Sequence, residues 1–146
     1  MIYLEDLELG SVGTFGEYSV TEEEIVEFGR RYNPLPYHVD ADHAGPFGGL
    51  VATGWQSGAI MMRLATDNWI IRLATLGGTG IDARFRTPVR PGDRLRVHID
   101  VLRIEPSEHS RDRGTVCWRG TLLNQNDESA LVCDVTMRVS RHPGDV

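Results

Sequence analysis

The chain is poor in the features that would tie it to a membrane, a nucleic acid or an oxidising compartment. Two cysteines in 146 residues, Cys117 and Cys133, are too few for a disulfide framework and match neither a CxxC pair nor a zinc-ligand spacing. They read as buried thiols of a cytoplasmic protein. No run approaches the ~18 uninterrupted apolar residues of a membrane-spanning helix. Basic residues are the minority, 15 against 21 acidic, and the net charge of −6 argues against a nucleic-acid partner. The first nine residues hold Glu5, Asp6 and Glu8 and no basic residue, the reverse of a secretory leader. No repeat or low-complexity segment appears. What remains is an ordinary globular composition, 40% hydrophobic and 25% charged. The length suits one domain, residues 1–146, which can bury roughly 70% of its unfolded surface without a metal or disulfide staple.

Local pattern divides the chain into a helical first half and a stranded second half. Residues 1–11 read as a loose lead-in, and 12–20 as a strand in which Gly13 and Gly16 permit a bulge. Thr21 starts a helix. Glu24 completes a capping box, and Glu22 and Glu23 suit the positive end of the helix dipole. This helix fades over 29–32, because the residue before Pro34 avoids helical geometry. Asp40 or Asp42 is expected to cap a short helical turn through Ala44, which Gly45, Pro46, Gly48 and Gly49 then break. A second helix starts at Thr53, with Gln56 in a second capping box, and runs to about Leu73 or Leu76. Its apolar residues cover most of the circumference, so it is expected to be buried, and Gly77-Gly78 ends it.

Residues 81–89 read as a strand, and Arg90-Pro91-Gly92-Asp93 as a type II turn. Leu95, Val97, Ile99 and Val101 then alternate with Arg94, Arg96, His98 and Asp100, so one face is buried and one wet. Strands over 115–123 and 130–139 follow, joined by a turn at 124–127, and 141–146 reads as a frayed tail. The sum is an α+β domain, an antiparallel sheet around one long central helix whose remaining side needs a partner. If the last hairpin turns about Gln125, Cys117 and Cys133 face each other at ~4.5–5.5 Å, within disulfide reach. Free thiols remain the expectation.

Candidate chemistry concentrates in residues 31–55. His38 follows Tyr37 in a proline-rich segment that can hold an imidazole at a fixed angle, and histidine is readily tuned for proton transfer near neutrality. The alternative is a histidine that only hydrogen-bonds a loop carbonyl. Gly54, at a helix start, leaves its N–H unblocked, with the helix dipole behind it, to stabilise a developing oxyanion. Close packing of helix on strand would want glycine equally. Asp40, Asp42, His38 and His43 match no metal-ligand spacing, and aspartate here is equally a helix cap. Arg84, Arg86, Arg90, Arg94 and Arg96 crowd one hairpin, where they form either a phosphate-binding set or a solvated strand face.

The sequence Asn33-Pro34-Leu35-Pro36-Tyr37-His38, then Phe47-Gly48-Gly49, then Thr53-Gly54-Trp55 resembles the hydratase motif of the MaoC-like family, the (R)-specific enoyl-CoA hydratases and dehydratases of hot-dog fold. Pro88-Val89-Arg90-Pro91-Gly92-Asp93 is similar to the family's first hairpin turn after the central helix. The resemblance covers residues 5–140. It implies a lyase that adds water to a trans-2-enoyl thioester, with His38 and Asn33 at the catalytic positions. Gly54, Thr53, Trp55, Phe47 and Gly48 would bind the substrate. The implied acyl-CoA substrate brings its own coenzyme A, so no cofactor or metal is expected, and the implied assembly is a homodimer or a higher assembly of dimers. One position departs: the family's aspartate falls at Asn33, which can hold a water but accepts no proton at neutral pH. A hot-dog thioesterase, or an acyl-CoA-binding homologue without turnover, is therefore the alternative.

Overall fold

In the computed structural model, which describes residues 1–144, the elements run β1 (Gly10–Ser19), α1 (Glu22–Tyr32), α2 (Pro36–Val39), α3 (Gly54–Asn68), β2 (Thr75–Phe85), β3 (Arg94–Pro106), β4 (Arg113–Leu123) and β5 (Ser129–Ser140). The strands form one antiparallel sheet in the order β1-β3-β4-β5-β2. The central helix α3 packs chiefly on β1, β3, β4 and β5. This is the hot-dog arrangement: a long sheet wrapped around one helix.

The alternation read in β3 is what drives the wrap. Leu95, Val97, Ile99 and Val101 are buried and meet Ile60, Met61, Leu64 and Ala65 of α3 in the core, together with Trp118 and Leu122 of β4. Burying an aliphatic side chain contributes about 1.5–3 kcal/mol, so this seam dominates the fold. The turn at 90–93 forms as read, with the Asp93 N–H donating to the Arg90 carbonyl at 3.1 Å and Gly92 at φ +87°.

Both helix caps form, but only by halves. The Thr21 hydroxyl accepts from the Glu24 N–H at 3.2 Å, and Thr53 from the Gln56 N–H at 3.0 Å. The reciprocal side-chain bonds are absent. The Glu24 carboxylate instead accepts from the Tyr18 hydroxyl, and the Gln56 amide is buried without a partner. The Glu24 carboxylate and partial burial push the Tyr18 phenol up to about 12.

Other expectations are corrected. The short helix comes earlier than read, at 36–39, because Pro36 suits a first helical position. Asp40 ends it rather than capping it, its carboxylate accepting from the Asp42 N–H at 3.0 Å. Helix α3 stops at Asn68, whose side chain takes the Leu64 carbonyl at 2.8 Å, while Trp69 leaves helical geometry to pack edge-on against Trp118. Gly77 and Gly78 therefore lie in β2, at a bulge, and end no helix. The lead-in is ordered: Leu4 is buried in a single 3-10 turn, and Ile2 bridges to Leu73. Arg141 and His142 are held by Glu5 and Asp6, so the tail is anchored there, and residues 145–146 lie outside the described residues.

The last hairpin turns about Asn126 and Asp127, so Cys117 pairs with Thr136 and Cys133 with Gly120. That three-residue offset puts the two cysteines on opposite faces, and both are free thiols. Among the described residues, no helix is long and apolar enough to cross a membrane.

Candidate active site

His38 sits on the single turn of α2 and is 7% exposed. Its position is fixed from three sides. The Nδ1 atom lies 2.7 Å from the Val51 carbonyl. A carbonyl only accepts, so Nδ1 carries the proton and Nε2 of the neutral ring keeps its lone pair. The Val51 N–H in turn donates to the Tyr37 carbonyl at 2.9 Å, which staples the chain at residue 51 to α2. Behind the ring, α1 approaches closely: a Cβ on Gly29 would lie 2.5 Å from the His38 carbonyl, so only glycine permits the contact. The carbonyl-bonding reading of this histidine is met, and the same bond leaves the other ring nitrogen uncommitted.

An aromatic train extends outward. The Tyr37 ring packs edge-on to His38, with centroids 4.6 Å apart, and Phe47 packs edge-on to Tyr37 at 5.2 Å. Phe47 is tethered by its carbonyl, which accepts from the Arg90 guanidinium at 2.6 Å. This contact separates Arg90 from its neighbours in sequence. Arg94 pairs with Glu17, and Arg96 with Asp127 and the Asn124 carbonyl. Of the five hairpin arginines, Arg86 alone lines the cavity described next.

Asn33 ends α1, and Gly54 begins α3. With His38, Phe47 and Trp55 they line one cavity of about 380 Å³, completed by Phe85 and the 86–89 segment. Asn33 is partly buried, and its side chain is engaged by no other side chain among the described residues. The Gly54 N–H has no acceptor among the described residues, as befits a first helical residue. The close-packing reading is met: a Cβ on Gly54 would lie 2.6 Å from the Phe85 ring. Thr53 and Gly48 stand outside the lining. The Thr53 hydroxyl is committed to the helix cap, and the Gly48 N–H turns back to the Gly45 carbonyl at 3.4 Å.

Asp40, the carboxylate nearest to His38 along the chain, does not line this cavity. It faces a separate, charged trough along α1, with Glu23, Glu27 and Arg31. The ring of His43 sits against Gly45, and among the described residues no group of three or more His, Cys, Asp or Glu is placed to hold a metal ion. The Val51 carbonyl, Phe85 and the Arg90 tether were not visible in the sequence. Every residue has a carbonyl, so Val51 left no signal. Phe85 lay unmarked within the strand read at 81–89.

The sequence model of the MaoC-like domain matches residues 10–116, most of the chain and all of the 33–55 segment. The chain belongs to the MaoC-like family. A MaoC-like dehydratase from Rhodospirillum rubrum is 35% identical and superimposes with a TM-score of 0.91 over 98% of this chain and 99% of that one. The uncharacterised protein YdeM of Bacillus subtilis strain 168 is 28% identical over 141 residues, covering 94% of this chain and 99% of YdeM. The (R)-hydratase PhaJ1 of Pseudomonas aeruginosa, at 24% identity, shares the fold with a TM-score of 0.71 over 99% of this chain and 93% of that one. The hot-dog topology and the motif of this MaoC-like chain thus stand on sequence and structure alike.

Proposed function

We propose that this protein is an acyl-CoA hydratase/dehydratase, a lyase that adds water across a trans-2-enoyl thioester and removes it in reverse. The observation that carries the reading is the His38–Val51 bond, which leaves Nε2 as the base in the cavity where the Asn33 amide and the Gly54 N–H also end. In the hydration direction, Nε2 takes a proton from water as the water oxygen bonds to the β-carbon. The double-bond electrons shift toward the α-carbon and the thioester oxygen, and the Gly54 N–H stabilises the charge that develops there. The proton then passes from Nε2 to the α-carbon. Asn33 orients the water through its amide. Phe47 and Trp55 wall the acyl thioester, with Thr53 and Gly48 supporting them through the helix cap and the turn. Arg86, at the cavity rim, suits a phosphate of coenzyme A.

The protein needs no cofactor of its own in this scheme, since coenzyme A arrives with the substrate. A cytoplasmic setting belongs to the same reading and is supported by the two free thiols. So does a homodimer. All eleven residues of β2 are exposed along the outer edge of the sheet, with Leu76, Ile81 and Phe85 among them, which suits pairing with a second copy.

One specific feature favours a second reading. Asn33 cannot take a proton, and a positioned acid–base partner is worth about 10²–10⁴-fold. A thioesterase, or an acyl-CoA binder without turnover, would tolerate that loss. The deciding experiment follows the enoyl-thioester absorbance with trans-2-enoyl-CoAs, using the native protein, His38→Ala and Asn33→Asp. Turnover by the native protein that His38→Ala abolishes is the expected result. An inert native protein revived by Asn33→Asp would mean a binder on a hydratase scaffold. If both are inert, the hydratase reading falls, and release of free thiol from saturated acyl-CoA becomes the assay.

A further inference from the structure

Gln56, in the first turn of α3, is 2% exposed, yet neither its amide oxygen nor its amide nitrogen has a hydrogen-bond partner among the described residues. A buried polar group without a partner is costly in any fold, and a held water is the usual remedy. The side chain lines a cleft of about 380 Å³ between α1 and α3. Glu27, Arg31, Tyr32 and Arg63 are exposed around it, and Glu27 and Arg31 join it to the charged trough along α1, so the cleft opens to solvent. Tyr18 and Glu24 line the same cleft. The Tyr18 hydroxyl donates to the Glu24 carboxylate, which leaves lone pairs on both for a water to donate to. Amide, phenol and carboxylate together supply the several polar partners that a held water needs.

The cleft backs onto the candidate active site. Neighbouring residues line the two: at the end of α1, Tyr32 lines the cleft and Asn33 the site, and on α3, Gln56 lines the cleft and Ser57 the site. Ser57 is 5% exposed, and its hydroxyl donates to the Thr53 carbonyl at 3.4 Å, so its oxygen can still accept. The cavity on the other side of α3, toward β2 and β5, has no charged or amide side chain in its walls and offers water little to bind.

We propose that Gln56 is a positioning residue for the reacting water: its amide takes water from the α1–α3 cleft and passes it, beside Ser57, to Asn33. This inference rests on the hydratase/dehydratase reading and deepens it. Each hydration consumes one water and each dehydration releases one. A bound thioester fills the cavity along Phe47, Trp55 and Arg86, which leaves the wall at Asn33 and Ser57 for water. An amide suits the task because it both donates and accepts, and its last torsion is broad enough to let it turn. It moves no proton, and the acid–base work stays with His38 Nε2.

The test compares the native protein with Gln56→Met and Gln56→Leu, which lack the amide, and Gln56→Asn, which keeps it. Hydration of a trans-2-enoyl-CoA, dehydration of the matching β-hydroxyacyl-CoA, binding of the saturated acyl-CoA and Tm are measured for each. The two apolar variants should lower kcat in both directions by about tenfold or more, with saturated acyl-CoA affinity within about twofold of native. Their Tm should be equal or higher, since an unpartnered buried amide has been removed. Gln56→Asn should bring kcat back to within about threefold of native. Apolar variants with kcat within about twofold of native would overturn the relay and leave the hydratase reading standing. A kcat loss that comes with lower Tm or weaker acyl-CoA binding marks a structural role and also overturns it. A native protein that hydrolyses the saturated thioester instead overturns the hydratase reading alone, and the same kcat comparison decides the relay, because hydrolysis too consumes water. A native protein that turns over neither ester overturns both.

Discussion

The two edges of the sheet are built in opposite ways. β1 is interrupted by bulges after Ser11 and Phe15, has α3 packed against it, and carries Glu17 paired with Arg94. These are the usual devices that keep a strand edge from recruiting another chain. β2 keeps regular pairing from Gly80 to Phe85, lies beyond the main packing of α3, and exposes Ile81 at 60%. One edge is closed and one is open, and the candidate site sits at the open one, since Phe85 ends β2 and lines the cavity. The proposed pairing and the proposed chemistry therefore share a strand, and neither is assigned to the β1 side.

The largest expected effect separates the site from the edge. His38→Ala should lower enoyl-CoA hydration by about 10²–10⁴-fold while the assembly measured by light scattering stays unchanged. The next effect attacks the edge itself. Ile81→Glu would bury an unpaired carboxylate in the proposed interface, which costs several kcal/mol. It should weaken self-association by about 100-fold or more in sedimentation experiments, and hydration should fall with it. The matched change on the closed edge, Ser11→Glu, should alter neither. A β2 variant that behaves like the β1 variant would remove the distinction.

A smaller effect sharpens the comparison within the hairpin that joins the two sides. Arg90→Ala releases the Phe47 carbonyl and should lower kcat by about tenfold, because ~1 kcal/mol or more of positioning is lost. Arg94→Ala breaks an exposed pair on the β1 side and should leave kcat as it was. The smallest effect lies between the edges. Arg119 on β4 grips Asp134 on β5 through two hydrogen bonds, of 2.7 and 3.0 Å, and holds that carboxyl below the usual aspartate range. A depressed carboxyl stabilises the fold above its unfolded value and loses that contribution as pH falls through the folded one. Asp134→Asn should therefore reduce Tm slightly at neutral pH, by no more than about 2 °C given the solvent screening, and the difference should vanish once acid protonates the carboxyl in the folded state as well.

Much of this architecture was legible because burial leaves a period. The strict alternation at 94–101 gave β3 its faces, and Thr21 and Thr53 marked both helix starts within one residue. The end of α3 was not legible. Gly77 and Gly78 look like a helix stop, but Trp69 left the helix first, for a ring partner 49 positions along the chain that no local pattern announces. The cysteine register failed for a similar reason: moving the hairpin centre from Gln125 to between Asn126 and Asp127 offset the two thiols by three positions. In the site, the residues with distinctive chemistry or backbone freedom, His38 and Gly54, were visible. The residues that orient them were not, because a backbone carbonyl at 51 and a guanidinium 43 positions from its acceptor have no signature of their own.

The staple at residue 51 has a consequence beyond holding the imidazole. Its two bonds, Tyr37 carbonyl to Val51 N–H and His38 Nδ1 to Val51 carbonyl, use only main-chain atoms of residue 51, so burial, and not the bonds, selects the apolar side chain there. They also close off the segment between 39 and 51 as a loop whose ends are fixed independently of its contents. Changing the length of a closed loop adds little entropy, about 0.6 kcal/mol per doubling. This loop carries Phe47, a wall of the cavity, so insertion, deletion and substitution there can redraw the shape presented to a substrate while the imidazole stays where it is. The shape of the cavity wall and the placing of the imidazole are therefore separable in this fold.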